Sequence, residues 1–282
     1  MNMPIERSLN APVTPVGRDL SGMPEAFRRA YGPTEAFPDD LGEIFREDSP
    51  VLGYRGQRTI NPRSRNACRI FAVFPDLETR LPRIYGLDSQ TEYHHLALTL
   101  TNPSVLQVRE QVGPVRFRRL DGSIGIHYFD LVITHRTGRK VAVAVKPTSR
   151  LASGRFLTDL TRIRCAAVPE VADELRLVTE QCFSRTAAVN AATYLRFALC
   201  PDTDADVRLE ETVAKLDGEL TIADLIILSR TGSRGFRAVY RAIFEQRLGL
   251  VSSGSINLHS IVRRPQWTCT GPVPVFCEQC SP

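Results

Sequence analysis

After Asp88 and Ser89, apolar residues recur at helical spacing. Tyr93, Leu96, Ala97 and Leu100 fall on one face, and Asn102-Pro103 stops the helix. The period then changes. Val115–Leu120 turns through Asp121-Gly122-Ser123 into Ile124–Thr134, and His135–Arg139 leads into Lys140–Lys146, so the pattern predicts a three-strand meander. Val141 to Val145 is apolar at every position, which predicts a strand covered on both faces. Lys146 is the first charge after that run, and Pro147 ends it.

The second half predicts helices. Two are expected within Val171–Ala198, one over Asp206–Leu216, and a short one from a Thr221 cap through Leu228. Beyond Gly232 a longer helix runs from Ser233 to Leu248, with Phe236, Val239, Tyr240, Ile243 and Phe244 on one face. Leu250–Leu258 reads as a short strand or wing. Helix, turn, helix and strand form the outline of a winged-helix module. Residues 1–60 are rich in Pro, Gly and charge, and read as a loosely ordered arm with short helices over 24–31 and 40–46. The expected organisation is therefore the arm at 1–60, a sheet-bearing domain at 61–150, and a mainly helical domain at 151–282 with a Pro-rich tail.

Composition narrows the class. At 282 residues, 43% hydrophobic and 24% charged, the chain suits about two globular domains and is not collagen-like, fibrous or wholly disordered. It has no run of about 18 apolar residues and no apolar signal core at its start, so a cytoplasmic protein with no membrane partner is expected. Of the 36 Lys and Arg, only Lys140, Lys146 and Lys215 are lysine, leaving 33 arginines and a net charge of +5. Arginine so dominant suits a coding bias and also phosphate contact. Where lysine persists, a compact ammonium is kept. Arg55–Arg69 carries Arg55, Arg58, Arg63, Arg65 and Arg69, and reads either as a track for a phosphate backbone or as a solvated linker. Seven cysteines, an odd number, argue against a disulfide framework.

Three residues carry candidate chemistry. Hydrolysis of a phosphodiester calls for hard oxygen ligands around a divalent cation and an ammonium beside the scissile phosphate. Glu92, Asp130 and Lys146 supply these groups. Strand alternation tests the idea: Asp130 shares a face with Ala144 and Lys146 only if the connection between their strands has odd length, as His135–Arg139 does. Each residue also has a simpler reading. Ser89-Gln90-Thr91-Glu92 has capping-box spacing, Asp130 would sit in a structural ion pair, and Lys146 would be a solvated strand end.

Ser89-Gln90-Thr91-Glu92, Arg109-Glu110-Gln111, Tyr128-Phe129-Asp130 and Val143-Ala144-Val145-Lys146-Pro147 together resemble the amino-terminal domain of the TnsA transposon endonucleases, in the restriction-endonuclease-like PD-(D/E)XK superfamily. The resemblance covers about residues 60–150 and extends more weakly to the carboxy-terminal half. It implies an α/β fold, a mixed sheet flanked by helices and followed by a mainly helical winged-helix-like domain. It also implies a magnesium-dependent endonuclease (manganese as substitute) that cuts double-stranded DNA at transposon ends, beside a DDE-type transposase and an ATP-using regulator. Glu92 and Asp130 would bind the metal with the Val145 backbone carbonyl, and Lys146 would be the catalytic lysine. Gln111 matches a recurrent glutamine of the family. This chain departs from the pattern at Ala144, where a carboxylate or amide stands two residues before the lysine. That departure favours a second reading, an inactive relative serving as a DNA-binding or scaffolding subunit. A third is a free-standing repair or defence nuclease.

Further candidates lie elsewhere. Arg234, Arg237 and Arg241 fall on one side of the predicted Ser233 helix, where a helix-turn-helix would contact DNA. Cys269, Cys277 and Cys280 with His259 offer one close pair for zinc, against the simpler reading of free thiols in a tail. His94 and His95 share the Glu92 helix; His95 offers a catalytic imidazole, against the simpler reading of partly exposed surface histidines.

Overall fold

A computed structural model describes residues 51–58 and 68–265, all within one compact unit, Glu47–Pro282. The helices expected over 24–31 and 40–46 lie outside the described residues. So do Arg63, Arg65, Cys269, Cys277 and Cys280. The chain is a mixed α/β protein, and among the described residues no helix is long and apolar enough to cross a membrane.

An antiparallel hairpin comes first, β1 (Ile70–Pro75) and β2 (Pro82–Leu87), neither of which the periodicity revealed. Residues 51–58 are no loose arm: Leu52 bridges Arg83 of β2, donating to Pro82 O at 2.8 Å and accepting from Ile84 N at 2.9 Å. Helix α1 (Gln90–Leu100) follows, capped by Ser89 as its spacing predicts. Next come β3 (Val105–Arg118), β4 (Ile124–His135) and β5 (Lys140–Val145), the expected meander, although β3 begins well before Val115. A register shift between Val112 and Val115 carries the strand past Gly113-Pro114.

The sheet does not stop at 150. Short helix α2 (Thr148–Leu151) and α3 (Arg155–Ala167) cross over to β6 (Glu174–Val178), which pairs parallel with β5 and completes the order β3-β4-β5-β6. Of the two helices expected over 171–198, only α4 (Arg185–Ala198) forms. Glu174-Leu175-Arg176-Leu177-Val178 alternates beside the apolar β5, and the ladder outweighs its helical reading. One sheet face packs Leu131, Ile133 and Val143 against Leu96 of α1 and Ala188 and Leu195 of α4. The other packs Phe129, Val132 and Ala142 against Ile163 of α3. The domain boundary expected at 150 would therefore cut through one sheet and its cover.

A second core follows. Helix α5 (Thr203–Ala214), β7 (Glu219–Thr221), α6 (Ile222–Ser229), a 3-10 turn (Gly232–Arg234), α7 (Gly235–Phe244), β8 (Gly249–Leu250) and β9 (Ile261–Arg263) enclose Leu209, Leu225, Val239, Leu248 and Val262. Their small antiparallel sheet has the order β7-β9-β8. The strand expected over 250–258 ends at Leu250, because Asn257 Oδ1 and Ser260 Oγ accept backbone N–H groups at 2.9 and 3.0 Å and turn the chain.

Candidate functional site

Glu92 sits in the first turn of α1 and is buried. The Ser89 hydroxyl accepts from Glu92 N at 3.1 Å and donates to Glu92 Oε1 at 2.8 Å, while Glu92 Oε2 accepts from Asp88 N at 2.9 Å. Ser89 caps the helix and Glu92 reaches back to the Ser89 hydroxyl and to Asp88 N in place of the Ser89 N–H, so the capping reading of Glu92 holds in a variant form. It does not exhaust the residue. Burial, and then the nearby charge of Asp130, push the Glu92 carboxyl up to about 7, so the two acids feel each other.

Asp130 comes from β4. The β4–β5 ladder runs from Thr134 opposite Lys140, with the five residues 135–139 between them, to Leu131 opposite Val143, and Asp130 comes next along β4. Buried Asp130 accepts from Val145 N at 2.6 Å. Burial raises its pKa, and the Lys146 ammonium opposes that rise. Lys146 follows β5 directly: its backbone N donates to Val178 O at 3.0 Å, and its Nζ donates to Val145 O at 2.9 Å. The ammonium also stands 5.3 Å over the Phe156 ring. The Val145 carbonyl, expected as a metal ligand, is thus already engaged by a cation. Ala144 is fully buried and has no side-chain oxygen to give.

The charge of Asp130 reaches Glu92 and that of Lys146 reaches Asp130, and Asp130 accepts from Val145 N at the carboxy-terminal end of β5. Among the described residues no three His, Cys, Asp or Glu stand together as a ready metal cage. The chain matches no protein-family model and no curated protein. Its site is therefore read from its own geometry.

Sequence reasoning gave several neighbours no role. Gln111 of β3 is fully buried, its backbone in the left-handed region at φ 50°. Its Nε2 donates to Glu92 Oε2 at 3.5 Å, and its Oε1 is buried without a hydrogen-bond partner. The ladder pairs Glu110 with Leu131 and Val112 with Phe129, so Gln111 lies across from Asp130. Arg58 pairs with Asp88 and stacks 5.8 Å over Tyr128. Its charge, like that of Lys146, helps hold the half-buried His127 imidazole down at about 4, behind the larger effect of burial. These contacts join residues distant along the chain, and no local spacing announces them. The Arg109-Glu110-Gln111 segment was the one usable signal.

Other expectations are corrected. Arg234 is spent on Asp202 at 3.0 Å and Asp204 at 2.7 Å. Arg241 is buried on Asp206 at 2.8 Å and on the carbonyls of Phe197 and Cys200. Arg237 is half-buried beside Cys200. The arginine side of α7 meets the acidic first turn of α5, not open solvent. His94 and His95 both turn inward against Phe183, with ring centroids at 6.2 Å. Burial holds His95 down at about 4. Of the basic segment, Arg55 pairs with Asp76 and both Arg58 and Arg69 with Asp88, so these arginines fasten the chain to its own acids. His259 is exposed.

Proposed function

We propose that this chain is a metal-dependent DNA endonuclease of restriction-endonuclease-like fold. In this reading it is the cutting subunit of a heteromeric transposase, acting on double-stranded DNA at transposon ends in the cytoplasm. The reading is supported by the charges of Asp130 on Glu92 and of Lys146 on Asp130, in that chain order, near the end of β5 where Asp130 accepts from Val145 N at 2.6 Å. Burial disfavours two adjacent carboxylates in their charged forms, and a divalent cation offsets that cost. Bound magnesium, or manganese in its place, supplies a Lewis acid and a water of lowered pKa. Glu92 and Asp130 would hold it, and the Lys146 ammonium would offset charge growing on the scissile phosphate.

Phosphate contact falls to the β3–β4 hairpin in this reading. Exposed Arg116 and Arg118 share a groove with Arg162 of α3. The carboxy-terminal lobe follows the order α5-β7-α6-α7-β8-β9 with β9 central, which supports a winged-helix-like module. With α7 buried, that module docks protein rather than reading a groove, and a DDE-type transposase or ATP-using regulator is the partner the reading calls for.

The test is cleavage of transposon-end duplex by the full chain in magnesium or manganese. Wild type is expected to cut, and Glu92→Ala, Asp130→Ala and Lys146→Ala each to slow cutting by about 100-fold or more. Ala144, which lacks the expected ligand oxygen, favours the second reading of an inactive DNA-binding or scaffolding subunit. Retained DNA binding with no cleavage by wild type establishes that one.

A further inference from the structure

Resting on that reading, we propose that Gln111 is the third oxygen ligand of the cation, its Oε1 replacing the side-chain oxygen missing at Ala144. The two sources of that oxygen which the resemblance implies are absent or already shared in this chain. Ala144 carries none, and the Val145 carbonyl already accepts the Lys146 ammonium at 2.9 Å. Gln111 meets the need from the opposite strand. The β3–β4 ladder, with Glu110 opposite Leu131 and Val112 opposite Phe129, sets Gln111 across from Asp130, whose carboxylate accepts from Val145 N at the end of β5. The amide is tied to the other acid, Nε2 to Glu92 Oε2 at 3.5 Å, and that orientation leaves Oε1 as the free end. An oxygen on a fully buried side chain with no partner is costly unless something polar occupies the space before it. Amide oxygens are ordinary ligands of hard divalent cations.

The backbone points the same way. A non-glycine residue at φ 50° is strained, and here the conformation is fixed from outside. Gln57 N donates to Gln111 O at 3.1 Å, and Gly113 N donates to Gln57 Oε1 at 2.8 Å, so residues 51–58 clamp the bulge that carries Gln111. Glu110 beside it is anchored to Arg83 at 2.5 Å. A glutamine held so firmly serves as a fixed ligand, not as filler.

Manganese binding by the full chain without DNA, followed by titration calorimetry and by the electron paramagnetic resonance of bound Mn²⁺, separates the possibilities. Wild type is expected to bind one Mn²⁺ per Glu92–Asp130 pair. Gln111→Met, close in volume but without the amide oxygen, is expected to weaken binding by about tenfold or more. Gln111→Glu, which restores an oxygen at the same reach, should bind as tightly as wild type or more so. A circular dichroism melt shows whether each variant folds. Should Gln111→Met disturb the fold, failure of Gln111→Glu to bind Mn²⁺ overturns the proposal. If Gln111→Met binds as well as wild type while Glu92→Gln does not bind, the inference falls and the nuclease reading stands. If wild type binds no Mn²⁺, both fall.

Discussion

Glu92 caps a helix with one set of contacts and faces a second acid with the other. That double duty has a price in pH. Its carboxyl rises from an ordinary 4.5 to about 7, chiefly through burial and then through Asp130, so folding favours its protonated form. The associated stability is complete below pH 4.5 and disappears as pH rises through about 7. In metal-free protein the melting temperature is expected to decline across that window, and the decline should shrink in Glu92→Gln and on adding Mn²⁺. A calorimetric series over pH checks this, and parallel profiles for wild type and variant would contradict it. Asp130 was legible in the sequence because a charge inside an apolar strand demands a partner. Gln111 was not, since its value depends on β3 returning beside β4 and on a backbone twist that no residue pattern encodes.

Among elements, β5 was the easiest to read, its apolar run declaring a strand covered on both faces. Its neighbour β6 was harder: Glu174 and Arg176 break the apolar run, and only pairing with β5 decides for strand over helix. Helix α7 shows the opposite failure. Periodicity located its apolar face correctly but left the arginine side unassigned between solvent and DNA, whereas Asp202, Asp204 and Asp206 claim it. Arg241→Ala is therefore expected to cost about 3 kcal/mol of stability, since it strands a carboxylate against a packed helix, and to leave the salt dependence of DNA binding unchanged. The Arg116→Ala/Arg118→Ala double variant should do the reverse, lowering the salt slope by roughly two with little loss of stability. Urea denaturation and DNA titrations at several salt concentrations measure both.

At the scale of the molecule, the division anticipated at 150 fails because long-range pairing ignores local composition. Cutting there removes β6 from β5 and α4 from α1. A fragment of residues 51–150 is thus expected to melt without a cooperative transition by circular dichroism, where the full chain shows one. Helix α4 contributes side chains to both cores. Tyr194 on α4 stacks on Phe244 of α7 at 4.6 Å, while Ala188 and Leu195 of α4 rest in the core shared with α1. Helix α4 is a common axle. Through it, a load on the carboxy-terminal lobe bears on the element packed against the Glu92 helix, so substitutions at the Tyr194–Phe244 stack are expected to lower the stability of both cores together in a single melt.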